Sequence, residues 1–112
     1  MPEERFDKYA IEISRPAKRD LAEIIRYIAK SNPQNAIKIK KRIQAKINTL
    51  DHFPERGAYV PELLANDNKN FRQLTESPWK IIYKVDDNIV RIMAIVDSRR
   101  NLKDILTEKL LK

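Results

Sequence analysis

Six cationic side chains in the C-terminal half stand where they could hold an anion: Arg72, Lys80, Lys84, Arg91, Arg99 and Arg100. The first four fall on strand-like runs. The adjacent arginines follow an apolar stretch, Val90 to Val96, with only Asp97 and Ser98 between. Planar guanidinium groups grip phosphate or carboxylate bidentately, and Lys80 and Lys84 alternate onto one strand face. Such a face suits an RNA backbone or an acidic peptide. The plainer reading is a row of solvated strand positions turned away from a core, with Asp97 as a local partner for the arginines.

Other chemistry is sparse. The chain has no cysteine and one histidine, which removes disulfides, thiol catalysis, thiolate metal sites and multi-histidine metal sites. No metal and no cofactor are expected. A single glycine leaves no glycine-rich phosphate loop. His52, beside Phe53 and Pro54 near the end of a helical stretch, reads as a surface or capping residue rather than part of a Ser-His-Asp arrangement. Asp86 and Asp87 read as turn residues, whose side chains bond the nearby backbone. Glu12 projects from a strand, opposite Tyr9, Ile11 and Ile13, with no partner evident.

The 112-residue chain is 42% hydrophobic and 35% charged, which suits one folded domain over residues 1–112 with a modest core. No apolar run approaches the roughly 18 residues that a membrane span needs. The opening MPEERFDKYA lacks the apolar centre of a signal peptide, so a cytoplasmic location without membrane contact is expected. The formal charge of +7 points to an anionic partner such as nucleic acid, an acidic protein or the ribosome. Basicity kept for solubility alone is the other reading.

A small set of elements must position these groups. In YAIEIS, Tyr9, Ile11 and Ile13 alternate with Ala10 and Glu12, the period of a strand with one buried face. Ser14 can cap a helix whose early Pro16 costs no internal hydrogen bond, with Ala17, Leu21, Ile24 and Ile28 as its core stripe. Asn32 and Pro33 restart a second, antiparallel helix that runs from about Asn35 to Phe53 through Ala36, Ile39, Ile43, Ile47 and Leu50. Lys38, Lys40, Lys41, Arg42 and Lys46 surround the rest of it, a solvated helix rather than a DNA-contacting stripe.

Residues 54–70 read as a loop that packs down through Tyr59, Val60, Leu63 and Leu64. FRQLTESPWKIIYKVDDNIVRIMAIVD then gives an antiparallel meander of three strands. Trp79, Ile81, Tyr83 and Val85 share one face of the middle strand, and Lys80, Ile82 and Lys84 the other. In the last strand Val90, Ile92, Ala94 and Val96 oppose Ile89, Arg91, Met93 and Ile95, the pattern of a central strand covered on both sides. The tail forms a short amphipathic helix through Leu102, Ile105, Leu106 and Leu110, with Asp97 or Ser98 as its cap. The expected fold is α+β: an antiparallel sheet, made of the first strand plus the C-terminal three-stranded meander, packed against an N-terminal two-helix antiparallel hairpin, with a short C-terminal helix.

From about Tyr9 to Leu111 this layout and its local signatures resemble the RelE/ParE superfamily of bacterial toxins from type II toxin–antitoxin systems. YAIEISRPAKRDLAEIIRYIAKSNPQNA resembles the opening strand and first helix, with Ala17, Asp20, Leu21, Ile24, Tyr27 and Ile28 in the characteristic places. INTLDHFPERGAYVPEL, with Leu50, Phe53, Pro54 and Gly57, resembles the end of the second helix and the following loop. FRQLTESPWKIIYKVDDNIVRIMAIVDSRR resembles the strands and closing arginines.

The resemblance implies a toxin held inactive by a cognate antitoxin protein, which represses the operon through its own contact with operator DNA. RelE-like members cleave mRNA on the ribosome, and ParE-like members poison DNA gyrase. Aligned with the ribonuclease branch, Lys80 takes the position of one active-site arginine and Arg99 matches another. Gln73 replaces the usual strand lysine, and the tail tyrosine falls at Ile105. Tyr83 is the nearest other phenol but lies on the core face. The missing tail tyrosine and the long hairpin make the chain more similar to ParE, a non-catalytic inhibitor of gyrase and so of replication. The alternatives are a ribosome-dependent endoribonuclease using Arg72, Lys80 and Arg99, or a degenerate non-toxic member acting as an antitoxin-binding corepressor.

Overall fold

Two polar caps shape the N-terminal half. In the computed structural model, which describes residues 8–64 and 67–111, β1 (Ala10–Ile13) ends at Ser14. The Ser14 hydroxyl accepts from Ala17 N at 3.2 Å and opens α1 (Arg15–Ser31). Asn32 closes α1 and opens α2 (Pro33–Asn48), its Oδ1 accepting from Asn35 N at 2.9 Å. Pro16 and Pro33 fall in first turns, where a missing N–H costs nothing. The second helix stops short of Phe53. After Asn48 it tightens into a 3-10 turn, Thr49–Asp51, and Asp51 O accepts from Tyr9 N at 2.7 Å, tying this end to the start of β1. The opening residues 1–7, read as lacking a signal sequence, lie outside the described part of the chain.

The loop expected over residues 54–70 holds a two-residue strand, β2 (Ala58–Tyr59), and one helical turn, α3 (Pro61–Leu64). Val60 and Leu63 are buried as expected, whereas Tyr59 and Leu64 remain partly exposed. Next come β3 (Arg72–Glu76), β4 (Trp79–Asp86), β5 (Ile89–Asp97) and α4 (Leu102–Leu110). In the β4–β5 turn Asp87 adopts φ 51°, a left-handed conformation that a short polar side chain tolerates.

The sheet order is β1-β5-β4-β3-β2. The meander is antiparallel, but β1 pairs with β5 in parallel, from Ala10 opposite Ile89 to Ile13 opposite Ile92. The helical hairpin and the loop supply the long connection that parallel neighbours require, so the sheet is mixed rather than wholly antiparallel. β5 is interior, flanked by β1 and β4, as its two apolar faces demand.

One sheet face packs on the hairpin, where Ile39, Ile43 and Ile47 of α2 and Ala17 and Leu21 of α1 meet Leu74, Ile81, Tyr83 and Ile92. The other face is covered by α3 and α4, with Val60, Leu63, Leu102 and Leu106 over Ile82, Ala94 and Val96. Simple alternation along β5 therefore fails. Ile82 of β4 pairs with Ala94 and Tyr83 with Ile92, leaving Met93 as an extra residue, a bulge. Before it, Val90 and Ile92 face the hairpin; after it, Ile95 does, and Ala94 and Val96 turn to α4. The cap of α4 also differs from expectation. β5 continues to Asp97, Ser98 Oγ donates to Pro78 O at 2.7 Å, and the cap is Asn101, whose Oδ1 accepts from Asp104 N at 3.3 Å.

Candidate functional site

Because of the bulge, the end of β5 delivers its polar residues toward α1. There a cleft of about 330 Å³ lies between α1, the start of β4, the end of β5 and α4. Ile24, Tyr27 and Ile28 of α1 form one wall, Trp79 and Ile95 the floor, and Ile105 and Lys109 of α4 the far wall. Arg99 and Arg100 stand at its mouth with Asp97.

Arg99 already has a counter-ion. Its Nε donates to Asp97 Oδ1 at 2.9 Å, its Nη2 to Oδ2 at 2.6 Å, and its backbone N to Oδ1 at 2.9 Å. The side-chain hydrogen bond from Arg99 is the main force holding the Asp97 carboxyl down at about 2, against a smaller opposing effect of burial. The Arg99 side chain is 72% exposed, so the fork lies open to an incoming anion. Arg100 has no side-chain partner among the described residues and adds positive potential at the same carboxylate.

A second carboxylate braces the cleft. β1 stops pairing at Ile92, which leaves the amide of Ile95 without a strand partner on that side. Asp20 of α1 fills the gap: its Oδ2 accepts from Ile95 N at 3.0 Å while its Oδ1 accepts from Lys109 Nζ at 2.9 Å. One side chain, only 11% exposed, thus joins α1, β5 and α4.

The other cations named from sequence lie elsewhere. Arg91 pairs with Glu12, the acid that showed no partner in sequence, and its Nε lies 3.5 Å from Asp86 Oδ2. Lys84 shares that Asp86 oxygen at 3.6 Å. Arg72 donates to the carbonyls of Gly57 at 2.8 Å and Glu55 at 3.3 Å, and its guanidinium carbon sits 4.5 Å from the centre of the Tyr59 ring, which pins the loop after α2. Lys80 has no partner among the described residues. Of the six, only Arg99 and Arg100 share the cleft, and only Lys84 and Arg91 share a carboxylate; Arg72, Lys80 and Arg99 do not line a common pocket.

Tyr83 is fully buried, its Oη accepting from Gly57 N at 2.9 Å, and burial pushes its phenol up from the ordinary value. Gly57 is required here because a Cβ would stand 2.6 Å from both Gln73 O and Tyr83 Oη. The Gln73 side-chain oxygen is buried without a partner among the described residues. Ile105 lines the cleft as a half-buried apolar residue. Sequence reasoning missed the roles of Asp20 and Lys109, 89 residues apart, and of Tyr27, whose ring is 74% exposed in the cleft wall. For Tyr27 a signal existed: it lies beside the stripe of Ile24 and Ile28 yet is a large aromatic.

The cleft sets Asp20, Glu23 and Asp97 against Arg99, Arg100 and Lys109, a balanced wall suited to an ionic and apolar partner segment. Among the described residues no group of three His, Asp or Glu could hold a metal ion, and no helix is long and apolar enough to cross a membrane.

The same architecture occurs in known proteins. The chain is 27% identical over 97 residues to Toxin ParE3 of Caulobacter vibrioides, covering 86% of this chain and 93% of that one. Its fold matches the chromosomal ParDE toxin–antitoxin system from P. aeruginosa with a TM-score of 0.67 at 22% identity, over 81% of this chain and 97% of that one. It also matches the RelBE2 complex of Mycobacterium tuberculosis with a TM-score of 0.55 at 17% identity, over 80% and 91% of the two chains. A mutant of E. coli toxin RelE in the free state gives 0.56 at 14% identity, over 93% and 96%. The family described as the ParE toxin of the type II toxin–antitoxin system, parDE, matches residues 11–102. With its two-helix hairpin, bulged central strand and terminal helix, this chain belongs to that ParE toxin family.

Proposed function

We propose that the chain is the toxin of a type II toxin–antitoxin pair, neutralised by a cognate antitoxin, and that it acts by binding DNA gyrase and blocking replication. The observation that carries this reading is Ile105. An apolar, half-buried residue lines the cleft beside Arg99 at the place where the resemblance puts a tyrosine in the ribonuclease branch. Separation of Arg72 and Lys80 from that cleft also argues against a common phosphate-cleaving centre, since such a centre needs proton transfer and charge stabilisation at one phosphate. Antitoxin binding is supported by the complexes named above: one related fold is recorded as a ParDE system and another as a RelBE2 complex. Operator DNA is then reached only through the antitoxin.

Purified protein should inhibit supercoiling by gyrase or trap gyrase on cleaved DNA. Full gyrase activity at large toxin excess would sink this reading. The ribonuclease alternative is favoured by one feature, the exposed Tyr27 phenol in the cleft that holds Arg99. Toeprinting on translating ribosomes tests it, and cleavage within coding sequence that Tyr27→Phe abolishes would establish it.

A further inference from the structure

Helix α1 is charged against its own dipole. Its first turn holds no acid, and Arg15, Lys18 and Arg19 stand at the end where a carboxylate would be favoured. The α1–α2 hairpin as a whole, residues 15–48, carries ten Lys and Arg against two carboxylates, Asp20 and Glu23. Both of those line the cleft, on the other flank of α1.

The cations of α1 are ordered. At about 3.6 residues per turn, Arg15, Arg19, Arg26 and Lys30 fall within about 60° of arc on the side opposite Ala17 and Leu21, and they span about 22 Å of the helix axis. All four are exposed, and none of the four side chains has a hydrogen bond or ion pair among the described residues. Between Arg19 and Arg26 the surface is Ala22, with Glu23 on the cleft side, so nothing bulky separates the two pairs. Lys38 and Lys41 of α2, exposed and likewise unpaired among the described residues, add to the positive charge of the hairpin surface.

We propose that this line of α1 binds the phosphate backbone of duplex DNA without sequence preference. It goes beyond the gyrase reading, from which it takes only the choice of DNA over RNA: a toxin acting on gyrase meets the duplex that the enzyme carries. A duplex bears roughly one charge per 1.7 Å of its axis, so a rigid edge of about 22 Å meets phosphates along its whole length. Guanidinium and ammonium groups on that edge displace condensed counter-ions, and their release supplies the affinity. A peptide partner needs apolar anchors at helical spacing, and none lies on the line. Single-stranded nucleic acid needs aromatic platforms, and Tyr27, the exposed aromatic of α1, belongs to the cleft wall instead.

The test measures binding of the full chain to a fluorescent DNA duplex of about 20 base pairs by anisotropy, from about 50 to 200 mM salt and without gyrase. The triple change Arg19→Gln/Arg26→Gln/Lys30→Gln is compared with Lys8→Gln/Lys69→Gln/Lys103→Gln, which removes the same charge from exposed positions elsewhere. Thermal unfolding confirms that each variant keeps its fold. The α1 variant should bind about 100-fold more weakly at about 100 mM salt, and the slope of log affinity against log salt should fall by about 2–3, since each lost phosphate contact removes about 0.9. The comparison variant should lose less than about threefold, because scattered exposed charges are screened from the duplex.

A comparison variant that weakens binding as much as the α1 variant overturns the proposal, because net charge and not the α1 line would then hold the duplex. So does an α1 variant within about twofold of the unaltered chain, or a duplex RNA of the same length bound more than about tenfold more tightly than DNA. Gyrase inhibition is scored separately. A chain that inhibits supercoiling yet binds the duplex no better than its α1 variant loses this assignment and keeps the gyrase reading. One that binds the duplex through α1 while gyrase stays fully active keeps the assignment and loses that reading.

Discussion

The hairpin and the rest of the molecule treat charge in opposite ways. Outside residues 15–48 the chain carries thirteen Lys and Arg against fourteen Asp and Glu, so the whole positive excess sits on two helices. On the sheet and just beyond its last strand, Arg91, Lys84 and Arg99 each have an internal carboxylate. On the hairpin, Arg42 and Lys46 reach across to Glu76 of β3, while the side chains of Lys18, Arg26 and Lys40 have no such partner among the described residues. Internal pairing holds loops and strand ends in place. Unpaired charge of one sign costs some stability through repulsion and is useful only toward an outside partner.

That contrast can be broken at several strengths. Both halves share one core, so Ile43→Ala in α2, at a fully buried site, should destabilise the protein by about 2–5 kcal/mol in denaturant unfolding. A loss confined to the hairpin, with the sheet still protected from hydrogen exchange, would mean that the halves fold separately. Gly57→Ala forces a Cβ against Gln73 O and Tyr83 Oη and should cost about 1–3 kcal/mol, read as a lower thermal midpoint. An unchanged midpoint would show that the loop after α2 gives way freely.

Asp20→Ala should cost about 1–3 kcal/mol by leaving the Ile95 amide and Lys109 without their shared acceptor, with fast amide exchange at Ile95 as its signature. By contrast Arg26→Gln with Lys40→Gln should change stability by less than about 0.5 kcal/mol, and added salt should then raise the thermal midpoint less than in the unaltered chain. A large loss on neutralising these two would erase the distinction between the halves.

The smallest effect concerns pH. Asp97 is held below the unfolded carboxyl value by Arg99, so the pair's stabilisation is present above about pH 4 and is lost as the pH falls through about 2. Carboxyl chemical shifts should place Asp97 near 2, and Arg99→Ala should move it upward.

Local chemistry was legible in the chain, and long-range partnership was not. Ser14, Asn32 and the two prolines announce the helix starts because a cap is written within four residues. The alternation of Trp79, Ile81, Tyr83 and Val85 gives their common face directly. The pairing of β1 with β5 in parallel, the Glu12–Arg91 contact and the Asp20 hydrogen bond to Ile95 join residues 75 or more apart. No period or motif connects such positions. The two-residue β2 is too short to alternate, and it exists because Ala58 and Tyr59 find Gln73 and Arg72 opposite. At the candidate site, the closing arginines could be named from sequence, but their carboxylate and aromatic neighbours on α1 could not.

Met93 deserves to be viewed as a half-turn written into the chain by a single residue. Were Met93 drawn into the ladder, β5 would alternate unbroken, Ile95 would leave the hairpin core, and Asp97 would emerge on the α4 side of the sheet. The bulge prevents that slip, so Arg99 and Asp97 keep Tyr27 and the α1 wall as neighbours. Deleting Met93 would close the bulge and leave Ala94 opposite Ile82 and Ile95 opposite Ile81, on the faces they already hold. The side on which the molecule presents its charge is therefore set by pairing with β4, and the extra residue is absorbed without passing its shift downstream.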